Sequence, residues 1–327
     1  MEILITGAGG FVGQALASDL ARAPISIDGS DATPRLVLCD RDPAPPGLIS
    51  ARHPASIEWR QGDITDPAFA ASLIGSQTRA VFHLAGVVSG AAEADFDTGL
   101  RVNLLAGMRL LEACRRNAVG TSPVRFVFAS SIAVYGAPLP EQIDDQTLPE
   151  PTLSYGVQKL ALEHLINDYS RRGMLDGRSP RLAGVVVRPP LPNGALSAFN
   201  SDLIRETAAG RPIRSPVSPQ AGLWMQSIDV TVTNLRHAMT LPAKALGHQR
   251  AVLLPAVATR VGAVLDAVGR ATRTDARARV DFQPDEAIEA QFGRWPASFT
   301  AQRALGLGFA VDDGIDAIVS AYLQRTT

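Results

Sequence analysis

The feature that most restricts the fold is a repeated alternation of short apolar runs with helical patterns through the first 190 residues. The apolar runs are rich in Val, Ile, Leu and Phe and lie at residues 3–6, 36–39, 57–60, 80–84, 125–129 and 183–187. They lack the polar and apolar alternation of a half-exposed strand, so we expect strands buried on both faces and helical crossovers between them. The sequence therefore predicts an α/β fold, a doubly wound parallel sheet with helices on both faces.

Helical patterns at residues 12–22, 99–117 and 154–172 fall between these runs. After Arg188 the sequence becomes rich in Pro, Ser and Gly, which is typical of loops. We expect a first domain at residues 1–188, to which residues 223–255 return because 251–254 reads as an extra strand. Residues 189–222 and 256–327 are expected to form a smaller C-terminal lobe that binds the substrate.

Composition and charge favour a small-molecule ligand. The 31 basic and 32 acidic side chains leave a net charge of −1, which gives no field for a nucleic-acid backbone. No apolar run approaches the ~20 residues of a membrane helix, and the first residues lack a signal-peptide pattern, so we expect a cytoplasmic protein with no membrane contact. Cys39 and Cys114 are too few for a disulfide framework, and no cluster of His, Asp or Glu predicts a metal.

A glycine-rich turn follows the first strand. Gly7, Gly10 and Gly13 form GxxGxxG within TGAGGFVG, and the intervening Phe11 and Val12 begin the first helical pattern. Glycines in this context allow a tight turn, a close approach of a diphosphate and contact between helix and strand. Main-chain N–H groups at the helix start would then meet the diphosphate. The pattern predicts a Rossmann-type dinucleotide site.

Asp40 ends the second predicted strand. A carboxylate there can accept hydrogen bonds from both hydroxyls of the adenosine ribose and repel a 2′-phosphate, which favours NAD over NADP. Two other interpretations stay open. Arg41 could hold a 2′-phosphate, or Asp40 could belong only to a turn.

Tyr155 and Lys159 are four residues apart on one face of a predicted helix. With four tyrosines and two lysines in the chain, this spacing is expected only about 0.02 times by chance. Lowering a phenol pKa from ~10 to near 7 requires about 4 kcal/mol, so we expect Tyr155 to become a base only beside a buried Lys159 and an oxidised cofactor. Ser131, at a strand end, would hold the substrate oxygen. Ser130 is the alternative, and Ser131 could instead cap a turn.

These motifs, in this order, resemble the extended short-chain dehydrogenase/reductase family, also called the NAD-dependent epimerase/dehydratase family. The resemblance covers nearly the whole chain and includes GDI at 62–64, FHLAG at 82–86, RVNLLAGMRLLEAC at 101–114 and SSIAVYG at 130–136. It implies NAD as cofactor and a catalytic triad of Ser131, Tyr155 and Lys159. The cofactor contacts that it implies are Gly7, Gly10, Phe11, Val12, Gly13, Asp40, Asp63, Ile64, Leu84, Ala85, Gly86, Asn103, Tyr155, Lys159 and Pro190. Asp63 and Asn103 could instead be turn and helix caps.

Departures from the family pattern narrow the reaction. Ile132 and Ala133 stand where sugar-nucleotide dehydratases have an Asp-Glu pair, and LWMQSIDV at 223–230 lacks the basic segment usual in sugar-nucleotide epimerases. The segments HLAGVVSGAAEADFD and RPPLPNGALSAFN resemble a branch whose members oxidise the 2-hydroxyl of a four-carbon sugar acid with NAD. A sugar-nucleotide 4-epimerase and a dinucleotide-sensing protein without turnover remain the alternatives.

The remaining expectations concern substrate and partners. Ser89 and Gly90 open an Ala-rich stretch whose backbone could receive a carboxylate, although Ser89 could serve only as a helix cap. The substrate contacts that we predict are Ser89, Gly90, Ser131, Tyr155, Asn193 and Trp224. Arg188 is interpreted as a structural anchor at a strand end. The resemblance also implies a homodimer formed through helices at 100–115 and 154–169.

Overall fold

The computed structural model describes residues 1–23, 25–27, 30–32, 34–48, 56–117, 123–136, 138–190, 197–292, 295–296 and 298–326. The strands are β1 Glu2–Thr6, β2 Ile25–Ile27, β3 Ser30–Ala32, β4 Arg35–Asp40, β5 Ser56–Gln61, β6 Thr78–His83, β7 Arg125–Phe128, β8 Ser130–Ser131, β9 Gln142–Ile143, β10 Asp176–Leu182, β11 Gly184–Val186, β12 Ile213–Ser215, β13 Gly222–Ser227, β14 Ala251–Leu253, β15 Val257–Arg260, β16 Val280–Phe282 and β17 Ser298–Phe299.

The α-helices are α1 Phe11–Arg22, α2 Pro67–Ser72, α3 Ser89–Ala94, α4 Phe96–Gly99, α5 Ala106–Asn117, α6 Ser154–Arg171, α7 Phe199–Ala208, α8 Ile228–Thr240, α9 Ala243–Leu246, α10 Val261–Thr272, α11 Glu286–Phe292, α12 Gln302–Gly306 and α13 Gly314–Thr326. A π-helical segment, Leu100–Leu105, leads into α5, and short 3₁₀ turns occupy Ile132–Val134 and Arg277–Arg279. Within the described ranges, every helix is too short or too polar to cross a lipid bilayer.

The main sheet is parallel and has the order β14-β10-β7-β6-β1-β4-β5, with β8 pairing to β10 beyond β7. The chain runs outward from β1 through β4 to β5, then crosses to β6 on the other side of β1. Such a change of direction opens a crevice at the carboxyl ends of the strands, where doubly wound folds bind ligands. The predicted fold class is confirmed.

Successive side chains of β1 face two different helical layers. Ile3 and Ile5 belong to a core shared with α1 and α8, whereas Leu4, which has no exposed surface, packs in the core formed with α2, α5 and α6. Burying one such aliphatic side chain contributes about 1.5–3 kcal/mol. Both faces of the strand therefore need apolar residues, which explains the continuous runs in the sequence.

The prediction of a main-sheet strand at 183–187 was wrong. The strand that pairs with β7 is β10, and Gly184–Val186 instead forms a second sheet with β13 and β15. The β10 sequence, DGRSPRL, lacks an apolar run because Arg178 is buried through its ion pair with Asp176 and its hydrogen bond to the carbonyl of Leu241. The extra strand predicted at 251–254 is confirmed as β14.

The second sheet has its own core. Leu223 and Met225 of β13 pack there with α7, α10 and α13. α8, which follows β13, packs against α1 and β10. The division of the chain into a cofactor domain and a substrate lobe stays a prediction.

Candidate active site

The turn between β1 and α1 has the geometry required for a close backbone approach. Gly7 adopts a φ of +71°, and a Cβ at this position would lie 2.6 Å from the Ala85 nitrogen. A Cβ on Gly13 would lie 2.1 Å from the Gly7 oxygen, so only glycine allows α1 to start against the turn. Phe11 begins α1. The N-terminal end of α1 therefore lies at the carboxyl edge of the sheet, a geometry that fits a diphosphate.

Asp40 is held against this turn. Its Oδ2 accepts a hydrogen bond from the Gly9 nitrogen at 2.8 Å, and its Oδ1 accepts one from the Arg41 nitrogen at 2.8 Å. The Arg41 side chain is 78% exposed and lies 3.7 Å from a carboxylate oxygen of Asp42. The group presented beside the glycine turn is therefore a carboxylate, which suits a ribose with free hydroxyls.

Predicted contacts further along the site occupy the neighbouring strand ends. Ile64 is buried, and Asp63 is exposed and accepts a hydrogen bond from the Thr65 nitrogen, as a turn-capping residue does. Leu84 follows β6 and donates its backbone N–H to the carbonyl of Thr6. The adenine contacts at Asp63 and Ile64 stay a prediction.

Asn103 lies in the π-helical segment and is 1% exposed. Its Oδ1 accepts from the Val87 nitrogen at 2.9 Å, and its Nδ2 donates to Gln158 at 2.8 Å. A Cβ on Gly86 would lie 3.0 Å from the Asn103 oxygen and 3.6 Å from the Lys159 Nζ. The open surface at Gly86 is therefore lined by these two polar side chains, and it suits the ribose and ring at the reactive end of a dinucleotide.

Tyr155 and Lys159 lie on the first two turns of α6, as the spacing predicts. Lys159 is 3% exposed, and its Nζ donates to the Ala129 carbonyl at 2.9 Å. The same Nζ lies 4.6 Å from the ring centroid of Phe128 and 5.4 Å from that of Tyr155. The Ala129 carbonyl, which directly follows β7, thus holds the Lys159 ammonium beside the ring of Tyr155.

The pKa values of these two groups move in opposite directions. Burial raises the pKa of the Tyr155 phenol above 10, while the Arg188 charge and a hydrogen bond with Ser131 act to lower it. Burial lowers the pKa of the Lys159 ammonium from 10.5 to about 8, opposed by the Glu163 carboxylate. Burial thus disfavours the charged form of both groups, and the need for a bound positive group to make Tyr155 a base stays a prediction.

The structure separates the two candidate serines. Ser131 faces a cavity with Tyr155 and also accepts a hydrogen bond from the Ala133 nitrogen, so it caps the following turn as well. Ser130 instead hydrogen-bonds to Glu163, which also forms a buried ion pair with Arg181. Ser130 is therefore committed to the protein interior, and Ser131 is the serine that can meet a ligand.

The cavity beside Tyr155 has a volume of about 120 Å³. Its described lining consists of Val88, Ser89, Ser131, Ile132, Ala133, Tyr135, Gly136, Leu139, Thr152, Leu153, Tyr155, Ala183, Gly184, Arg188, Ser197, Asn200, Leu223, Trp224 and Trp295. Among the predicted substrate contacts, Ser89, Ser131, Tyr155 and Trp224 are thus brought together. Gly90 follows Ser89 in α3 outside this lining, and Asn193 lies outside the described residues. Pro190 is exposed.

One wall of the cavity is aromatic. The ring centroid of Trp224 lies 4.8 Å from that of Trp295 and 4.3 Å from that of Phe299. The Trp224 indole N–H donates to the carbonyl of Pro296. At Trp224 the wall therefore offers apolar surface, because the indole donor is already paired.

Sequence reasoning missed several polar residues of this cavity, among them Arg188 and Asn200. Arg188 reaches it from the end of the β11 segment, with its Nε donating to the Val185 carbonyl at 3.1 Å. In the described part of the chain no carboxylate forms an ion pair with Arg188. No sequence pattern indicated that Asn200, on α7, would line a ligand site. The position of Arg188 after an apolar run was such an indication, but we interpreted this residue only as a structural anchor.

The model of the NAD dependent epimerase/dehydratase family matches residues 3–218. The chain belongs to this family. The match agrees with the glycine turn, with Asp40 and with the Tyr155–Lys159 pair. Together with two dehydrogenase relatives, it makes the protein an NAD-dependent oxidoreductase whose cofactor is NAD.

Named relatives match this chain over nearly its full length. D-erythronate dehydrogenase from Cupriavidus necator is 43% identical over 326 residues, which cover 99% of this chain and 98% of the relative. D-erythronate dehydrogenase from Haemophilus influenzae is 36% identical over 99% of both chains. The crystal structure of a protein described as the nucleoside-diphosphate-sugar epimerase from Agrobacterium tumefaciens has a TM-score of 0.89 and 34% identity, and covers 99% of this chain and 94% of that one.

Proposed function

We propose that this enzyme oxidises the 2-hydroxyl of D-erythronate, or of a closely similar short sugar acid, to the 2-oxo acid with NAD⁺. The observation that carries the proposal is Arg188, a guanidinium that forms no ion pair with a carboxylate among the described residues and lines the cavity that contains Tyr155 and Ser131. Arginine binds carboxylates through two parallel hydrogen bonds. An acid held there would place the adjacent C2 hydroxyl near the phenol.

The chain's own groups then handle the proton. Tyr155, as phenolate, accepts the 2-hydroxyl proton, while the Ser131 hydroxyl donates to the same substrate oxygen. Lys159 stabilises the phenolate from the buried position fixed by the Ala129 carbonyl. Bound NAD⁺ supplies the acceptor for the hydride that leaves C2. The balance is one 2-hydroxy acid and one NAD⁺ converted to one 2-oxo acid, one NADH and one proton.

The size of the cavity also favours a short acid. A volume of about 120 Å³ is well below the ~300–1,000 Å³ typical of sites for drug-sized ligands. The names of the two relatives that match along the whole chain point to the same substrate. The alternative is a nucleotide-sugar epimerase, which the name of the Agrobacterium protein favours and in which the hydride returns to the substrate.

The test compares an acid with its amide, in the wild type, in one variant and in a control variant. We expect purified enzyme with NAD⁺ and D-erythronate to release NADH in equal amount to the 2-oxo acid. Amidation of the carboxylate should lower kcat/KM by about 10- to 150-fold, the value of one charge-assisted hydrogen bond. Arg188→Gln should remove this preference for the acid over its amide, whereas Arg270→Gln, which changes an arginine that is 59% exposed and paired with Asp316, should keep it.

Two outcomes would overturn the proposal. One is interconversion of UDP-glucose and UDP-galactose with no NADH released from any sugar acid. The other is an Arg188→Gln enzyme that discriminates acid from amide as well as the wild type does.

We also propose that the enzyme acts in the cytoplasm as a homodimer. Phe96, Met108 and Val157 lie on α4, α5 and α6 and are 57%, 39% and 52% exposed. The resemblance implies pairing through the α5 and α6 region, and these side chains would be covered there. Light scattering should give twice the monomer mass for the wild type and a lower mass for Val157→Glu; a monomeric wild type would exclude the dimer.

A further inference from the structure

Asn200 presents a polar group that the protein itself leaves unused. It is the second residue of α7, is 5% exposed and lines the cavity that contains Tyr155. Its Oδ1 is buried without a hydrogen-bond partner in the described part of the chain. Most buried side-chain polar atoms are paired in folded proteins, and an unpaired one requires an explanation. The position in the cavity wall indicates that the partner is a ligand.

The first two turns of α7 build this part of the cavity. The Ser201 hydroxyl accepts a hydrogen bond from the Arg188 nitrogen at 3.0 Å, and the Arg205 guanidinium donates to the Arg188 carbonyl at 2.7 Å. Because both backbone groups of Arg188 are held by α7, the helix fixes Arg188 and Asn200 relative to each other. Such rigid support is what precise recognition of a short ligand requires.

The space beside the amide is kept open by a glycine. A Cβ on Gly184 would lie 3.3 Å from the Asn200 Nδ2 and 2.9 Å from the Trp224 carbonyl oxygen. The adjacent rings of Trp224 and Trp295 line the same cavity. The amide of Asn200 is therefore positioned to form a hydrogen bond with a ligand that also contacts Arg188 and Tyr155.

We propose that Asn200 determines specificity by hydrogen-bonding a hydroxyl of the substrate at C3 or C4, distinct from the hydroxyl that is oxidised. This inference rests on the proposed function. A hydroxyl both donates and accepts, so it can satisfy either end of an amide. A site built to bond a hydroxyl rejects analogues that lack it, because its own polar group is then left unpaired. The enzyme accordingly selects polyhydroxy acids over deoxy acids.

The experiment compares kcat/KM for three acids: D-erythronate, 2,4-dihydroxybutyrate, which lacks the 3-hydroxyl, and 2,3-dihydroxybutyrate, which lacks the 4-hydroxyl. We expect the wild type to prefer D-erythronate over one of the two deoxy acids by about 5- to 150-fold. Asn200→Leu, which is similar in volume, and Asn200→Ala should bring that ratio close to one by losing activity on D-erythronate alone.

A merely structural role is tested by stability. No hydrogen bond from the Asn200 side chain to the described protein is lost in Asn200→Leu, so the urea midpoint should stay equal or rise. If both variants retain the wild-type preference for D-erythronate over both deoxy acids, or if the midpoint falls while the ratio is unchanged, the role of Asn200 is wrong although the dehydrogenase assignment stands. Absence of NADH from all three acids with the wild type would overturn both proposals.

Discussion

Replacing Lys159 with methionine removes a buried charge and leaves a side chain of similar shape. Lys159 is 3% exposed, and burial lowers the pKa of its ammonium from 10.5 to about 8, with the Glu163 carboxylate opposing the change. The gap corresponds to about 3 kcal/mol of destabilisation at pH 7, because each pH unit is worth about 1.4 kcal/mol. The variant in turn leaves the Ala129 carbonyl without the hydrogen bond that the Lys159 Nζ donates, which costs about 1–2 kcal/mol at any pH.

We therefore expect Lys159→Met to be inactive but about 1–2 kcal/mol more stable than the wild type at pH 7. The sign of this difference in stability changes with pH. Between pH 8 and 10.5 the unfolded chain binds a proton that the folded protein has lost, so the stability of the wild type rises relative to the variant. The stability advantage of the variant should shrink by about 1.4 kcal/mol per pH unit from pH 8 upward and reverse within this window.

The assay is urea unfolding of both proteins at several pH values from 7 to 10, with the difference in unfolding free energy taken at each pH. Groups common to both proteins cancel in this difference. Lys244→Met, which removes the exposed ammonium of the other lysine, controls for the loss of one positive charge. If the difference in unfolding free energy between the wild type and Lys159→Met stays constant from pH 7 to 10, the buried ammonium does not destabilise the protein as argued.

Three further predictions concern catalysis and cofactor binding. Tyr155→Phe should lose turnover and keep its affinity for NAD in a fluorescence titration. Turnover of the variant at the wild-type rate would exclude Tyr155 as the base. Asp40→Ser should raise kcat/KM for NADP relative to NAD, since the carboxylate that repels a 2′-phosphate is gone; an unchanged ratio would contradict the ribose contact. Gly13→Ala should cost about 1–3 kcal/mol in urea unfolding and weaken NAD binding, because its Cβ would lie 2.1 Å from the Gly7 oxygen. Gly75→Ala, whose Cβ would meet nothing within 4 Å, is the matched control, and equal effects of both would refute the steric argument.

Local patterns were sufficient to predict the parallel sheet and the cofactor turn. Strands buried on both faces need continuous apolar runs, and the turn before α1 needs glycine at Gly7 and Gly13, so both leave marks in short stretches of sequence. Tyr155 and Lys159 were predictable for the same reason, since a spacing of four residues places two side chains on one helix face whatever surrounds the helix.

The strand β10 was missed because its core position depends on partners distant in the sequence. Arg178 can occupy a buried strand only because the Leu241 carbonyl, from the end of α8, accepts its hydrogen bond together with the nearby Asp176 carboxylate. The spacing of apolar residues in the sequence does not indicate that a buried arginine will find such partners. The run at 183–187, which has the apolar composition, pairs with β13 instead.

The composition of the cavity was decided by tertiary structure. Ser130 and Ser131 are adjacent and chemically identical, and only the direction of the strand sends one to Glu163 and the other to Tyr155. Arg188 and Asn200 meet Tyr155 because α7 packs against the second sheet, which brings together side chains more than 30 residues apart. By itself, the sequence determined the apolar strands around β1, the glycine turn and the helical pair, whose contacts are local. The folded chain decided the place of β10 and which polar groups face the substrate, because both depend on packing between distant elements.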